Sequence, residues 1–187
     1  MTRFVRLLRD GTTAFALLAL IGLIALKLNG GPETIHSGGF FTVDGDTLSR
    51  NGERLRLKGI DAPEYQQSCE RNGTSWPCGR AARALLQKLM ATGAAECRGG
   101  ERDRYHRLLV TCVAGGANVN GEMVRQGMAV SYGAYRKEEA DARQARAGLW
   151  AGRFEMPQDV RHHDDDTDGS DAFASVAEFV KRLAGWN

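Results

Sequence analysis

The chain has 187 residues, 42% of them hydrophobic and 26% charged, with a formal net charge of +2. This length fits one core of ordinary size and excludes an array of domains, and no internal repeat is visible. The charge is unevenly spread: residues 40–156 carry 18 Lys and Arg against 14 Asp and Glu, whereas residues 157–187 carry 3 against 7. A mildly basic body suits a polyanionic partner, but so small an excess assigns none by itself.

The first element in chain order is an apolar run from Ala14 to Leu26, preceded by Arg3, Arg6 and Arg9. Arginines ahead of a short apolar core read as an export signal or a single membrane anchor, spanning residues 1–30. Thirteen apolar residues suit a signal-peptide core better than a full span. No small-x-small cleavage pair follows, however, which favours an uncleaved anchor with the rest of the chain delivered outside the cytoplasm, in the periplasm; secretion is the alternative. A Gly-rich linker over residues 31–39 separates this segment from the body.

Phe40 to Leu48 and Arg54 to Leu57 are predicted strands, joined across Asn51-Gly52, two residues that tolerate the positive φ of a tight hairpin. A cysteine-bounded loop leads to a predicted helix over Gly79 to Met90, closed by Gly93. Glu96 to Arg98 and Leu108 to Val113 are predicted strands on either side of the turn Asp103-Arg104-Tyr105-His106-Arg107. Helices are predicted over Val119 to Gln126 and Glu138 to Ala147, ended by Gly127 and Gly148. About five short strands with some three helices, and no βαβ rhythm, indicate a small barrel with packed helices. The tail continues as an acidic linker over 155–170, including His162-His163-Asp164-Asp165-Asp166, and a short amphipathic helix over 171–187 with Phe173, Val176, Val180 and Leu183 on one face.

Four cysteines, Cys69, Cys78, Cys97 and Cys112, agree with export, because an even number in an oxidising compartment reads as disulfides. Of the three connectivities, Cys69 with Cys78 and Cys97 with Cys112 is favoured, since the latter two lie on segments expected to pair as antiparallel strands. A zinc site is disfavoured because the spacings lack the paired C-x-x-C form.

The chemistry concentrates in Asp44-Gly45-Asp46-Thr47 and in R-L-K-G-I-D-A-P-E, which runs from Arg56 to Glu64. Each acidic cluster alone is an ordinary turn. Together they can hold a hard divalent cation through oxygen ligands while an arginine grips phosphate bidentately. That combination outlines a phosphodiester-cutting site.

From about Phe40 to Phe154 the chain resembles the staphylococcal nuclease (thermonuclease) family. The resemblance rests on D-G-D-T, R-L-K-G-I-D-A-P-E, D-R-Y-H-R, V-N-G-E-M-V-R-Q-G-M-A from Val119, and A-R-Q-A-R-A-G-L-W from Ala142, in that order. It implies an OB-fold, a five-stranded Greek-key barrel, that binds Ca2+ and a single nucleic-acid strand and hydrolyses DNA and RNA. No small-molecule cofactor is expected, and a monomer is the default expectation. It further implies Asp46, Asp61 and the backbone carbonyl of Ala62 as calcium ligands, with Asp44 supporting them. Glu64 falls on the general base, Arg56 and Arg107 on the phosphate-holding arginines, and Arg104, Tyr105 and Tyr132 on the substrate groove. Two departures are visible: Ala62 replaces a threonine, and His106 stands where a glycine is common. The alternative is a decayed OB module that binds single strands without cutting.

Overall fold

A computed structural model of the protein describes residues 2–28 and 33–161. The amphipathic helix expected over 171–187 and most of the acidic linker lie outside the described residues. Helix α1 (Thr2–Leu28) contains the apolar run, and its side chains over residues 11–24 are exposed, Phe15 and Leu18 among them. Among the described residues no helix is long and apolar enough to cross a membrane.

The body is built on a sheet with strand order β1-β8-β9-β4-β3-β2, onto which β10 adds at β9. In chain order its strands are β1 (Thr34–Ser37), β2 (Phe41–Thr42), β3 (Thr47–Arg50) and β4 (Glu53–Leu57), followed by β8 (Ala95–Arg102), β9 (Leu108–Ala114) and β10 (Ala117–Asn118). Two further pairs lie off this sheet, β5 (Ile60–Asp61) with β11 (Val130–Ser131), and β6 (Cys69–Arg71) with β7 (Thr74–Trp76). Helices α2 (Cys78–Met90), α3 (Val119–Arg125) and α4 (Arg136–Gln144) pack around it. The sheet is curled into a half-barrel with packed helices, the OB-type barrel that the pattern of short strands indicates.

The strand count exceeds the expected five for local reasons. The predicted strand from Phe40 to Leu48 is interrupted, because the amides of Val43 and Asp44 both turn onto the Thr47 carbonyl at 2.9 and 3.4 Å. That turn lifts residues 43–46 out of the sheet. The segment expected as a linker contributes β1, which pairs antiparallel with β8. Within the cysteine-bounded loop, Asn72 and Gly73 adopt φ of 51° and 75°, the conformation that closes a two-residue hairpin, and so β6 and β7 pair. The hairpin predicted at Asn51-Gly52 forms the same way, with φ of 50° and 83°.

The core follows from alternation in the strands and helical spacing in α2 and α3. Leu55, Leu57 and Val110 from the sheet are fully buried against Ala82 and Leu86 of α2 and Met123 and Val124 of α3. Each such large aliphatic side chain contributes about 1.5–3 kcal/mol. Asn118 caps α3, its side chain accepting from the Gly121 amide at 3.0 Å, and Asn120 behind it is completely buried. Its amide nitrogen donates to the Lys58 and Val110 carbonyls and its oxygen accepts from the Cys112 amide, all at 3.0 Å. That side chain fixes α3 to the sheet and to the turn that follows β4.

Two disulfides join Cys69 to Cys78 and Cys97 to Cys112. Cys97 and Cys112 are direct partners in the β8–β9 register; closing a loop of 15 residues contributes about 3 kcal/mol in the chain-entropy account. Cys69 and Cys78 are buried in a second apolar cluster with Val130 and Leu149, against which Trp150, Phe154 and Met156 pack.

Candidate active site

The two acidic clusters meet because their backbones are packed together, not because they are near in sequence. An added Cβ at Gly45 would lie 2.7 Å from the Ala62 Cβ and 2.8 Å from the Ala82 Cβ, so only glycine lets the Asp44–Asp46 turn lie against β5 and α2. Asp44 shapes that turn, its Oδ1 accepting from the Asp46 amide at 3.0 Å. Asp61 is the last residue of β5, held by pairing with Val130 of β11. Glu64 is set by a second close approach: a Cβ at Gly79 would lie 1.7 Å from the Glu64 carbonyl oxygen. The first turn of α2 therefore rests directly on the Glu64 main chain.

Arg56, near the end of β4, ties the carboxylates together. Its Nη1 donates to Asp46 Oδ1 and its Nη2 to Asp61 Oδ1, each at 2.7 Å. Asp46 also accepts from the Thr47 hydroxyl at 3.0 Å and, through Oδ2, from the Ala62 amide at 3.1 Å. Asp46 and Asp61 are each only 3% exposed. Burial pushes the Asp46 carboxyl up to about 7; the neighbouring Asp44 and Asp61 push the same way, against Arg56 and the Ala62 amide.

Arg107 is presented from the loop between β8 and β9. Asp103 accepts from the Tyr105 and Arg107 amides through Oδ1, at 3.0 and 2.9 Å, and from Arg107 Nε through Oδ2 at 2.7 Å. Burial raises the Asp103 pKa, but the bonds from the Arg107 side chain and backbone together outweigh it and hold the carboxyl below its usual range. His106 adopts φ of 63°, the left-handed conformation in which glycine carries no penalty. This accounts for glycine being common there, and the exposed histidine side chain does not line the cleft.

All of Asp44, Asp46, Arg56, Asp61, Ala62, Glu64, Arg104, Tyr105, Arg107 and Tyr132 line one open cleft of about 1010 Å³. Among the described residues, no three His, Cys, Asp or Glu side chains are closed up into a ready-made cation cage. The donor set nevertheless suits a hard cation: two nearly buried carboxylates converge on one guanidinium, and their partners are positively charged groups. The second of those partners is Arg161, whose Nη2 lies 2.8 Å from both oxygens of Asp61 and whose Nη1 lies 2.7 Å from Glu64 Oε1. Burial lowers the Arg161 pKa, but the bonds to Asp61 and Glu64 outweigh it and raise the pKa overall.

A family model described as "Staphylococcal nuclease homologue" matches residues 54–152. The chain belongs to this family. It is 34% identical over 140 residues to an "Uncharacterized endonuclease" of Escherichia coli O157:H7, covering 69% of this chain and 86% of that one. It is 37% identical over 116 residues to the "Succinoglycan biosynthesis protein ExoI" of Rhizobium meliloti, covering 58% of this chain and only 61% of that relative's length. It is 35% identical over 130 residues to a "Micrococcal nuclease" of Shigella flexneri, covering 58% and 70% respectively.

Among the aromatic residues, the cleft separates two that are alike in sequence. Tyr132 is 67% exposed and lines it, whereas Tyr135 packs on the main core. Tyr105 is also exposed, with the Arg104 and Arg107 guanidinium carbons 4.7 and 5.2 Å from its ring centroid. Sequence reasoning missed Asp103, Asn120, Gln67 and Arg161. Asp103 had a signal, an aspartate opening a turn that returns on its own amides. Arg161 had none, because a single arginine in a polar tail carries no periodicity or motif.

Proposed function

We propose that this member of the family is a calcium-dependent nuclease that hydrolyses DNA and RNA phosphodiesters, preferably in single strands. The observation that carries the reading is the convergence of Asp46, Asp61, Glu64, Arg56 and Arg107 on one cleft. It is supported by relatives named as an endonuclease and a micrococcal nuclease.

Asp46, Asp61 and the carbonyl of Ala62 would hold the cation, with Asp44 shaping the turn beneath them. A bound divalent ion supplies charge neutralisation at the phosphate and polarises its oxygens. Glu64, with its side chain 35% exposed, accepts a proton from the attacking water as the water oxygen bonds to phosphorus. The bond from phosphorus to the leaving ester oxygen then breaks, that oxygen leaving as an alcohol after protonation by solvent. Arg56 and Arg107 face the same cleft and stabilise the charge that builds on the phosphoryl oxygens. Family behaviour would leave 3′-phosphates. Arg104, Tyr105 and Tyr132 offer a cationic and aromatic wall on which unpaired bases can stack.

The reading extends to location. The arginine-led apolar segment and the two disulfides support delivery outside the cytoplasm, with the nuclease body anchored or released in an oxidising compartment.

The test is incubation of the purified protein with denatured DNA in calcium and then in chelator, beside Glu64→Gln. Degradation that stops with chelator, and that falls about 10²- to 10⁴-fold in the variant while its folding is unchanged, is the expected result. A mobility shift without shortening selects a non-cutting binder, and equal turnover in variant and parent removes Glu64 from the mechanism.

A further inference from the structure

The segment after the family match at residue 152 returns to the active site as a strap. Arg153 and Glu70 exchange both main-chain hydrogen bonds, at 2.8 and 3.0 Å. Phe154 and Met156 pack on the cluster around Cys69, Cys78 and Leu149. Gln67 then joins strap and site: its Nε2 donates to the Glu155 carbonyl at 2.8 Å, and its Oε1 accepts from the Glu64 amide at 3.1 Å. A helical turn over residues 157–161 follows and brings Arg161 onto Asp61 and Glu64.

We propose that Arg161 is a resident counter-cation of the carboxylate site, which a divalent cation must displace, so that the strap sets the cation affinity of this nuclease. The inference rests on the reading that Asp46 and Asp61 hold that cation. A carboxylate as buried as Asp61 is costly to leave uncompensated. Arg56 donates to Asp61 Oδ1 alone, and Arg161 covers both oxygens. A divalent ion bound to Asp61 needs those same oxygens and places two positive charges beside the guanidinium. The two are therefore mutually exclusive occupants. Cation affinity is lowered by the fraction of molecules in which Arg161 is docked, and docking nine times in ten weakens it about tenfold. Arg161 is a positioning residue: undocked, it leaves the oxygens available; docked, it keeps them apart from water and ions.

The experiment is calorimetric titration of calcium into the full chain without nucleic acid, comparing parent, Arg161→Gln and Arg161→Lys. Arg161→Gln is expected to bind calcium about tenfold more tightly than the parent, and Arg161→Lys, which keeps the charge but not the fork, to fall between them. Thermal unfolding in chelator gives a second readout, with a lower midpoint for Arg161→Gln that calcium restores. Folded Arg161→Gln with the parent's calcium affinity, or a weaker one, overturns the inference and leaves the calcium reading standing. If Arg161→Gln fails to fold, the lysine variant decides by the same direction of change. Absence of calcium binding in the parent and in both variants overturns the inference together with the calcium reading.

Discussion

Asp103 holds Arg107 at two points, by the backbone amide at 2.9 Å and by Nε at 2.7 Å. The Arg107 guanidinium, which lines the cleft, is thus aimed by a carboxylate four residues away, on a loop in which His106 is in the left-handed conformation. Asp103→Ala frees both ends of this clasp without touching a cation ligand. Nuclease activity on denatured DNA is expected to fall about 10²-fold, the scale of an ångström-sized misplacement, with a nearly unchanged calcium titration. Unaltered activity would show that Arg107 is held by other means.

Arg56 bridges two carboxylates of the cleft. Each of them is 3% exposed, and removing one partner of a buried pair costs about 3–5 kcal/mol. Arg56→Ala should lose stability on this scale in chelator and regain much of it in calcium, because a bound cation compensates the same oxygens. Urea denaturation with and without calcium checks this. A loss that calcium leaves untouched would argue that the oxygens around Arg56 do not take a cation.

The sign of one pH dependence follows from Asp46, whose carboxyl moves from 3.8 to about 7 in the fold. Between those values the native state retains a proton that the unfolded chain has released, so this group makes stability fall as pH rises through the window. The slope is at most about 1.4 kcal/mol per pH unit. Denaturation of parent and Asp46→Asn across pH 4 to 7, in chelator, should show a steeper decline in the parent. Calcium should flatten the parent's curve, since ligation requires the ionised carboxylate.

How much of this was legible depends on the range over which each cause acts. The helix over Cys78–Met90 and the Asn51-Gly52 hairpin arise from spacing and turn chemistry within a few residues, and both were readable. The break between Thr42 and Thr47 was missed although Asp44-Gly45-Asp46 carries turn residues; the Asp44 side chain and the Thr47 carbonyl interrupt the ladder there. β1 was hidden for a different reason: Thr34–Ser37 lies in a Gly-rich stretch, and its strand character comes from the edge of β8. Among the site residues, those inside compact motifs were visible as candidates, while Gln67 and Arg161 act on Glu64 through contacts three and 97 residues away.

By itself the sequence determined the family, the acidic and basic residues available for phosphate chemistry, and the local elements that carry them, because motifs and short-range periodicity are properties of neighbouring residues. Only the tertiary structure decided which charges face one another. Asp46, Asp61 and Glu64 share a cleft because Gly45 and Gly79 permit close approach of the chain segments around them, and Arg161 reaches Asp61 and Glu64 because a strap is pinned at Glu70 and Gln67. Electrostatic partnership falls off with distance in space, and distance in space is set by packing across the whole chain.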